Sequence, residues 1–290
     1  MIAVRDYVAL TKPNVMSLLL FTTLTAMMMA AGGWPSPGLV FWTLLGGALA
    51  SGSSGAINMY LDRDIDSIMT RTRKRPIPSG RIEPSRALAF GIALGIAAFL
   101  QLALTVNLLA ALLSTSGILY YVFIYTIWLK RLTPQNIVIG GAAGAIPPLV
   151  GWAAVTNHVG LTALLLFLIV FVWTPPHFWA LALMKKEEYA RVGVPMLPSV
   201  RGDAETKKQI LMYTVALAAV TLIMVPMHLM GVLYLTCALA LDAMFLAFAI
   251  WVARTGSRQS EGLMYRFSML YLALLFVAMV VDRFGRGPGV

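Results

Sequence analysis

Polar positions are so sparse along this chain that the apolar runs between them define its layout. Nine such runs occupy 14–33, 38–61, 87–106, 108–129, 135–156, 161–184, 209–229, 231–252 and 266–282. A run of about 20 apolar residues is long enough for a helix to cross a bilayer. The pattern predicts an all-α, polytopic membrane protein, a bundle of nine transmembrane helices around a central cavity open to the cytoplasmic side. One integral-membrane domain is expected over 1–290. The breaks near Asn107 and at Met230–Gly231 are the shortest, and the span boundaries there are the least sharply marked.

Composition narrows the class. The chain is 59% hydrophobic and only 12% charged, with mean hydropathy +0.81, where soluble domains carry about 25% charged residues. The opening MIAVRDYVALTKP has charges but no apolar core leading to a small-residue cleavage site, so the first run is expected to stay as a span. Cys237 is the one cysteine, which rules out an internal disulfide and a cysteine-ligated metal.

A net charge of +10 could suggest nucleic acid, but its distribution suggests membrane topology and no nucleic-acid partner. All of the 22 lysines and arginines except Arg283 and Arg286 fall in the N-terminal tail or in loops on one side of the bundle. The positive-inside rule then puts the N-terminus in the cytoplasm and the C-terminus outside a bacterial-type inner membrane. An even number of spans would suit Arg283 and Arg286 better.

The chemistry concentrates in Asn58–Arg81, NMYLDRDIDSIMTRTRKRPIPSGR. If the second span's helix continues through 66, Asn58, Asp62 and Asp66 stand at i, i+4 and i+8 on one face, with Asp64 turned to the other. Carboxylates stacked this way repel unless a cation joins them. Mg²⁺ prefers one or two carboxylates with its other positions left to water or phosphate. The downstream Arg71, Lys74 and Arg75 could grip the phosphate oxygens that such a metal bridges. A solvated loop of cancelling charges is the competing explanation. Lys12, ahead of the first span, is either a snorkelling topology lysine or another phosphate contact.

Other features bear on the same end of the bundle. The second span is dense in small residues from Gly46 to Ala56, which lets its neighbours approach closely. Tyr120 and Tyr121 lie deep enough in the fourth span to stabilise a carbocation with their ring faces or simply to belong to an interfacial aromatic belt. Pro147-Pro148 and Pro175-Pro176 interrupt two spans, which is tolerated where protein or a cavity satisfies the freed carbonyls. His177 follows the second pair beside Trp173, and an intramembrane ionisable residue is a functional candidate as ligand or proton carrier. His158 reads as solvated and His228 as a packed polar residue. The loop 185–208, with Glu187 and Glu188, is long enough to close as a lid over loop 62–86, and the two together would form the polar site. Asp242, in the middle of the eighth run, is either a bundle hydrogen-bonding group or a site residue.

The N-x-x-x-D-x-x-x-D row at a span end, followed by R-T-R-K-R-P, resembles the first aspartate-rich motif of the UbiA superfamily of intramembrane prenyltransferases. WTPPHFWALA (Trp173–Ala182) and VPMLPSVRG (Val194–Gly202) look like its haem-farnesylating branch, and the resemblance runs from about Tyr7 to Asp282. It implies that Asn58, Asp62 and Asp66 form a Mg²⁺-diphosphate motif with Arg71 and Arg75 as its basic continuation. The second aspartate pair of many members is replaced here by Lys185-Lys186-Glu187-Glu188-Tyr189, leaving Glu187 and Glu188 as candidate second-motif ligands. His177 and Trp173 become candidate haem contacts. The implied partners are farnesyl diphosphate, haem B, the lipid bilayer and haem-modifying or oxidase-assembly proteins. Prenyl transfer to a quinone precursor or chlorophyll-like ring, and secondary transport, are the alternatives.

Overall fold

The computed structural model describes residues 4–286, and among these every regular element is helical. Met1–Ala3 and 287–290 lie outside the described residues, so the predicted placement of the C-terminus falls partly beyond them.

The helices begin and end where local chemistry requires. After a short helix α1 (Val4–Leu10), α2 (Pro13–Ala31) starts on a proline, whose missing N–H is harmless at that position, and stops at Gly32 in the left-handed region. Ser36 accepts a hydrogen bond from Leu39 N to open α3 (Pro37–Leu61), which runs on through Asp62 into α4 (Arg63–Ile68). After α5 (Pro84–Thr105), the break near Asn107 is a cap rather than a loop. Asn107 Oδ1 accepts from Ala110 N at 2.8 Å while Nδ2 donates to Ala153 O at 2.8 Å, so one side chain both starts α6 (Leu108–Leu132) and ties it to α7 (Asn136–Thr156).

The remaining elements are α8 (Leu161–Met184), the short α9 (Lys186–Arg191) and α10 (Leu197–Val200), then α11 (Gly202–Leu222), α12 (Val232–Thr255) and α13 (Arg258–Gly285). The proline pairs of α7 and α8 lie inside these helices without ending them.

Eight helices among the described residues are long and apolar enough to cross a membrane. The run at 209–229 contributes differently from the expectation of a ninth apolar span. Its helix, α11, starts at Gly202, carries the charged turns Asp203–Lys208, and gives way to turns before Pro226. Proline cannot donate to the ladder and restricts the residue before it. It nonetheless packs between α8 and α12 as a full member of the bundle.

Neighbouring helices pack around a ring that α13 closes against α2, and α7 and α8 are the most enclosed. The small residues of α3 are used as their number predicts. Leu102 of α5 packs onto Gly46, while Gly91 and Gly95 of α5 receive Ile57 and Ser53 of α3, so α3 and α5 meet at very short range. Gly55 does the same for the chain entering the bundle, because a Cβ there would stand 2.9 Å from Leu10 O.

Buried acids inside the bundle are satisfied by side chains from other helices. Asp242 of α12 accepts from Tyr271 Oη at 2.6 Å and from Thr221 Oγ1 at 2.7 Å, and Tyr234 Oη donates to Thr221 O. It is therefore a hydrogen-bonding clamp between α11, α12 and α13. Asp282 of α13 takes up the orphan amides at the start of α12, with Gly231 N at 2.7 Å and Tyr234 N at 3.1 Å, and pairs with Arg286 at 3.1 Å. Arg286 also donates to Leu229 O, so the C-terminal arginine is neutralised locally. Replacing Asp282 by Ala strands two amides and a guanidinium. The apparent melting temperature of Asp282→Ala in detergent should fall by the equivalent of about 2–3 kcal/mol, with Asp282→Asn falling less.

Candidate active site

Asn58 lies in the last turn of α3, Asp62 joins α3 to α4, and Asp66 lies within α4. Asp62 N donates to Asn58 O at 2.9 Å and Asp66 N to Asp62 O at 2.8 Å, so the helical ladder spans the junction. The three side chains consequently share a face and are buried at 3%, 2% and 3% exposure. Asp64 points away into solvent, where Arg131 holds it with two hydrogen bonds of 2.8 Å. That guanidinium lowers the Asp64 carboxyl to about 2.

Each member of the buried row meets a cation from a different segment. Lys12 Nζ donates to Asn58 Oδ1 at 2.5 Å, Lys130 Nζ to Asp62 Oδ2 at 2.5 Å, and Arg75 to Asp66 Oδ2 at 2.6 Å. The two buried ion pairs matter more than the exposed Arg131–Asp64 pair. Stripping a buried acid of its partner costs about 3–5 kcal/mol, where an exposed pair contributes about 0–1 kcal/mol. Lys12 reaches the row because its own backbone is left-handed (φ 53°) between α1 and α2. For a residue with a Cβ this costs about 1–2 kcal/mol. Burial, and after it the charge of Arg75, draws the Lys12 ammonium down to about 7 against the opposing pull of Asp62.

Arg75 and Lys12 are thus brought to the row as the sequence suggests, whereas Arg71 and Lys74 sit exposed on the loop above it. Lys130 is the cation that sequence reasoning missed. As a lysine at a span end it looks identical to a topology lysine. Only the crossing of α6 over the end of α3 reveals its partner.

The row is chemically suited to Mg²⁺. Its atoms are hard oxygens from two carboxylates and an amide, and Asp62 Oδ1 is buried with no hydrogen-bond partner. A buried carboxylate oxygen left this way is costly unless something else takes it up. The wider set predicted from sequence, Asp62 and Asp66 with Glu187 and Glu188, is not assembled. No group of three or more His, Cys, Asp or Glu side chains among the described residues is placed to share one ion. Glu188 of α9 instead pairs at 3.1 Å with Lys185, which joins α8 to α9, and Glu187 is exposed. Both line a separate polar cleft of about 380 Å³ with Lys186, Asp203 and Glu261.

Loop 185–208 nevertheless meets loop 62–86 through apolar contacts. Tyr189, Val194 and Met196 pack with Ile65 and Met69 in one cluster, together with Ile137 of α7 and Ala182 of α8. Tyr189 sits within electrostatic reach of Arg71 and Arg75, and burial raises its phenol above the ordinary tyrosine value.

Beneath the row, α6 changes winding. Tyr120–Leu129 is a π-helix, a form that recurs at functional sites. Tyr121 stacks on Tyr125 with ring centroids 5.3 Å apart, and both rings feel the charge of Asp62. The absence of a side chain at Gly140 makes room for the Tyr125 ring. Tyr120, paired with Tyr121 in the sequence reading, is diverted to α7, donating to Ile139 O at 3.0 Å. The aromatic pair at the row is Tyr121–Tyr125.

His177 is buried in α8 with its ring sandwiched between Trp173 at 4.4 Å and Tyr265 of α13 at 4.8 Å. Ser268 Oγ lies 2.6 Å from His177 Nδ1 and 2.7 Å from Tyr265 O, so the serine hydroxyl engages Nδ1. Nε2 has no hydrogen-bond partner among the described residues. Trp173 Nε1 donates to Ser268 O at 2.8 Å and locks the same corner.

Comparison with known proteins places this architecture. The protoheme IX farnesyltransferase of Roseiflexus sp. (strain RS-1) is 57% identical over 279 residues, covering 96% of this chain and 52% of that protein. The protoheme IX farnesyltransferase of Symbiobacterium thermophilum is 52% identical over 281 residues, covering 96% of this chain and 94% of its own length. The chain spans about half the length of the Roseiflexus and Chloroflexus relatives it matches. Among solved structures, a digeranylgeranylglyceryl phosphate synthase has the same fold, with TM-score 0.81 at 17% identity over 98% of this chain and 100% of that one. So does a UbiA homolog from Archaeoglobus fulgidus bound to DMAPP and Mg²⁺, with TM-score 0.63 at 16% identity over 95% and 99%. The model of the UbiA prenyltransferase family matches residues 19–278, and the chain belongs to that family, an integral multi-pass membrane protein.

Proposed function

We propose that this chain transfers the farnesyl group of farnesyl diphosphate to a vinyl group of haem B, giving haem O. The observation that carries the reading is the buried Asn58–Asp62–Asp66 row, ringed by three cations and holding one partnerless carboxylate oxygen. Its support from relatives is the name shared by proteins at 52–57% identity, including the Symbiobacterium protein that the chain covers almost completely.

Asn58, Asp62 and Asp66 would hold Mg²⁺, which when bound offsets the charge of the diphosphate as a Lewis acid. In the chain's own residues the chemistry is electrostatic. Lys12, Lys130 and Arg75 already converge on the row and can turn from it to the diphosphate oxygens, with Arg71 and Lys74 above them. Positive groups placed where negative charge develops stabilise the departing diphosphate as the allylic C–O bond breaks. Tyr121 and Tyr125 offer ring faces to the farnesyl cation left behind, and the dry bundle keeps water from consuming it. The vinyl group then supplies the electron pair for the new C–C bond, and water adds to the resulting cation, giving up a proton to the released diphosphate, to leave a hydroxyethylfarnesyl substituent.

His177 is proposed to contact the haem iron through Nε2, the nitrogen that Ser268 does not engage. A ligating histidine typically donates its other ring N–H to a fixed partner. The polar end of the bundle would face the cytoplasm, where a soluble diphosphate is available.

Incubating the purified protein with farnesyl diphosphate, Mg²⁺ and haem B should yield haem O by mass spectrometry. A product formed with 4-hydroxybenzoate in place of haem would favour the quinone-precursor alternative. Asp62→Ala and Asp66→Ala should each lose turnover by a factor of 100 or more, of the order seen when an essential electrostatic group is removed, while still accumulating in membranes. Retained activity in either would defeat the assignment. For the haem contact, His177→Ala should alter the absorption spectrum of bound haem B, and an unchanged spectrum would remove His177 as a ligand.

A further inference from the structure

We infer that Thr126 is a positioning residue that fixes the orientation of the Asn58 amide and thereby sets the affinity of the row for the metal–diphosphate pair. The inference rests on the proposed function and adds a residue to it. Thr126 is 2% exposed and lies in the π-helical part of α6, where its Oγ1 donates to Tyr121 O at 2.8 Å, five residues back. A threonine hydroxyl has one proton. With that proton committed to Tyr121, the oxygen can only accept, and the group it accepts from is Asn58 Nδ2 at 3.1 Å.

An amide can be turned either way, and its surroundings decide which. Asn58 Nδ2 has two hydrogens, one for Thr126 and one for Asp62 Oδ2 at 2.8 Å. Asn58 Oδ1 is thereby directed to the opposite side, where it receives Lys12. Asp62 can enforce this orientation only while its Oδ2 remains on Asn58, and that same oxygen is shared with Lys130. Once Asp62 and Lys130 turn to the substrate, Thr126 is the partner that still holds Nδ2. The π-register gives the hydroxyl its role, because it brings residue 126 over the Tyr121 carbonyl and orients the remaining lone pair toward α3.

The test is binding rather than turnover. Farnesyl thiodiphosphate, a poorly ionising analogue, is titrated calorimetrically against the full chain in nanodiscs over a range of Mg²⁺ concentrations. Thr126→Val should raise the half-saturating Mg²⁺ concentration roughly 10–100-fold, the loss typical when an outer partner of a metal-binding side chain is removed. Thr126→Ser keeps the hydroxyl and should stay close to the parent. In an Asn58→Ala background Thr126→Val should cause no further loss, because Thr126 acts through that amide. Should Thr126→Val fail to fold, Thr126→Ala carries the same expectation.

Unchanged Mg²⁺ dependence in Thr126→Val, equal impairment of Thr126→Ser, or an undiminished loss in the Asn58→Ala background would each overturn the inference alone. Absence of Mg²⁺-dependent binding by the unsubstituted protein would overturn the proposed function instead.

Discussion

Two carboxylates and an amide are buried side by side at the end of an apolar bundle, and the surrounding structure is arranged to make that possible. Without compensation, desolvating Asp62 and Asp66 would cost several kcal/mol each. The compensation comes from three chain segments far apart in sequence: Lys12 ahead of α2, Arg75 in the loop after α4, and Lys130 at the end of α6. One oxygen, Asp62 Oδ1, is left over. A buried carboxylate oxygen without a partner is costly unless something else takes it up. A site built to exchange its cations for a metal and a diphosphate would keep it available.

The delivery of those cations explains otherwise unrelated features of the fold. Gly55 lets the backbone at Leu10 lie directly on α3, and the left-handed turn at Lys12 then directs the ammonium at Asn58. Arg81 clasps Asp6 at 2.8 Å and bonds Lys74 O at 2.9 Å, so the N-terminal helix and the basic loop are held together. Leu10, Met59, Ile77 and Ile82 seal the joint with a small apolar core. Meanwhile Asp242 and Asp282, remote from the row, are wholly occupied in holding α11, α12 and α13 to one another. Asp242 and Asp282 thus have both carboxylate oxygens engaged, whereas Asp62 in the row keeps Oδ1 without a partner.

Tyr121 and Tyr125 stack beneath the row, their ring centroids 5.3 Å apart. Tyr189 packs against Ile65 and Met69 between the two polar loops, and Tyr265 stacks on His177. The winding of α6 contributes as well, since a regular α-helix would not place Tyr121, Tyr125 and Thr126 in their present relation.

What the sequence determined by itself is whatever follows from one-dimensional spacing. Apolar runs located the helices, and a four-residue repeat put Asn58, Asp62 and Asp66 on one face and Asp64 on the other. The charged first turns of α11 blurred the span count, because a helix that begins in water and ends among apolar neighbours has no single period. Tertiary structure decided which distant groups meet. Lys130 became a partner of Asp62, Tyr125 replaced Tyr120 beside Tyr121, Glu188 turned to Lys185, and Ser268 engaged Nδ1 of His177. None of these could be read along the chain, because a hydrogen bond is specified by three-dimensional distance and direction, and the helices that supply its two ends are brought together only by packing.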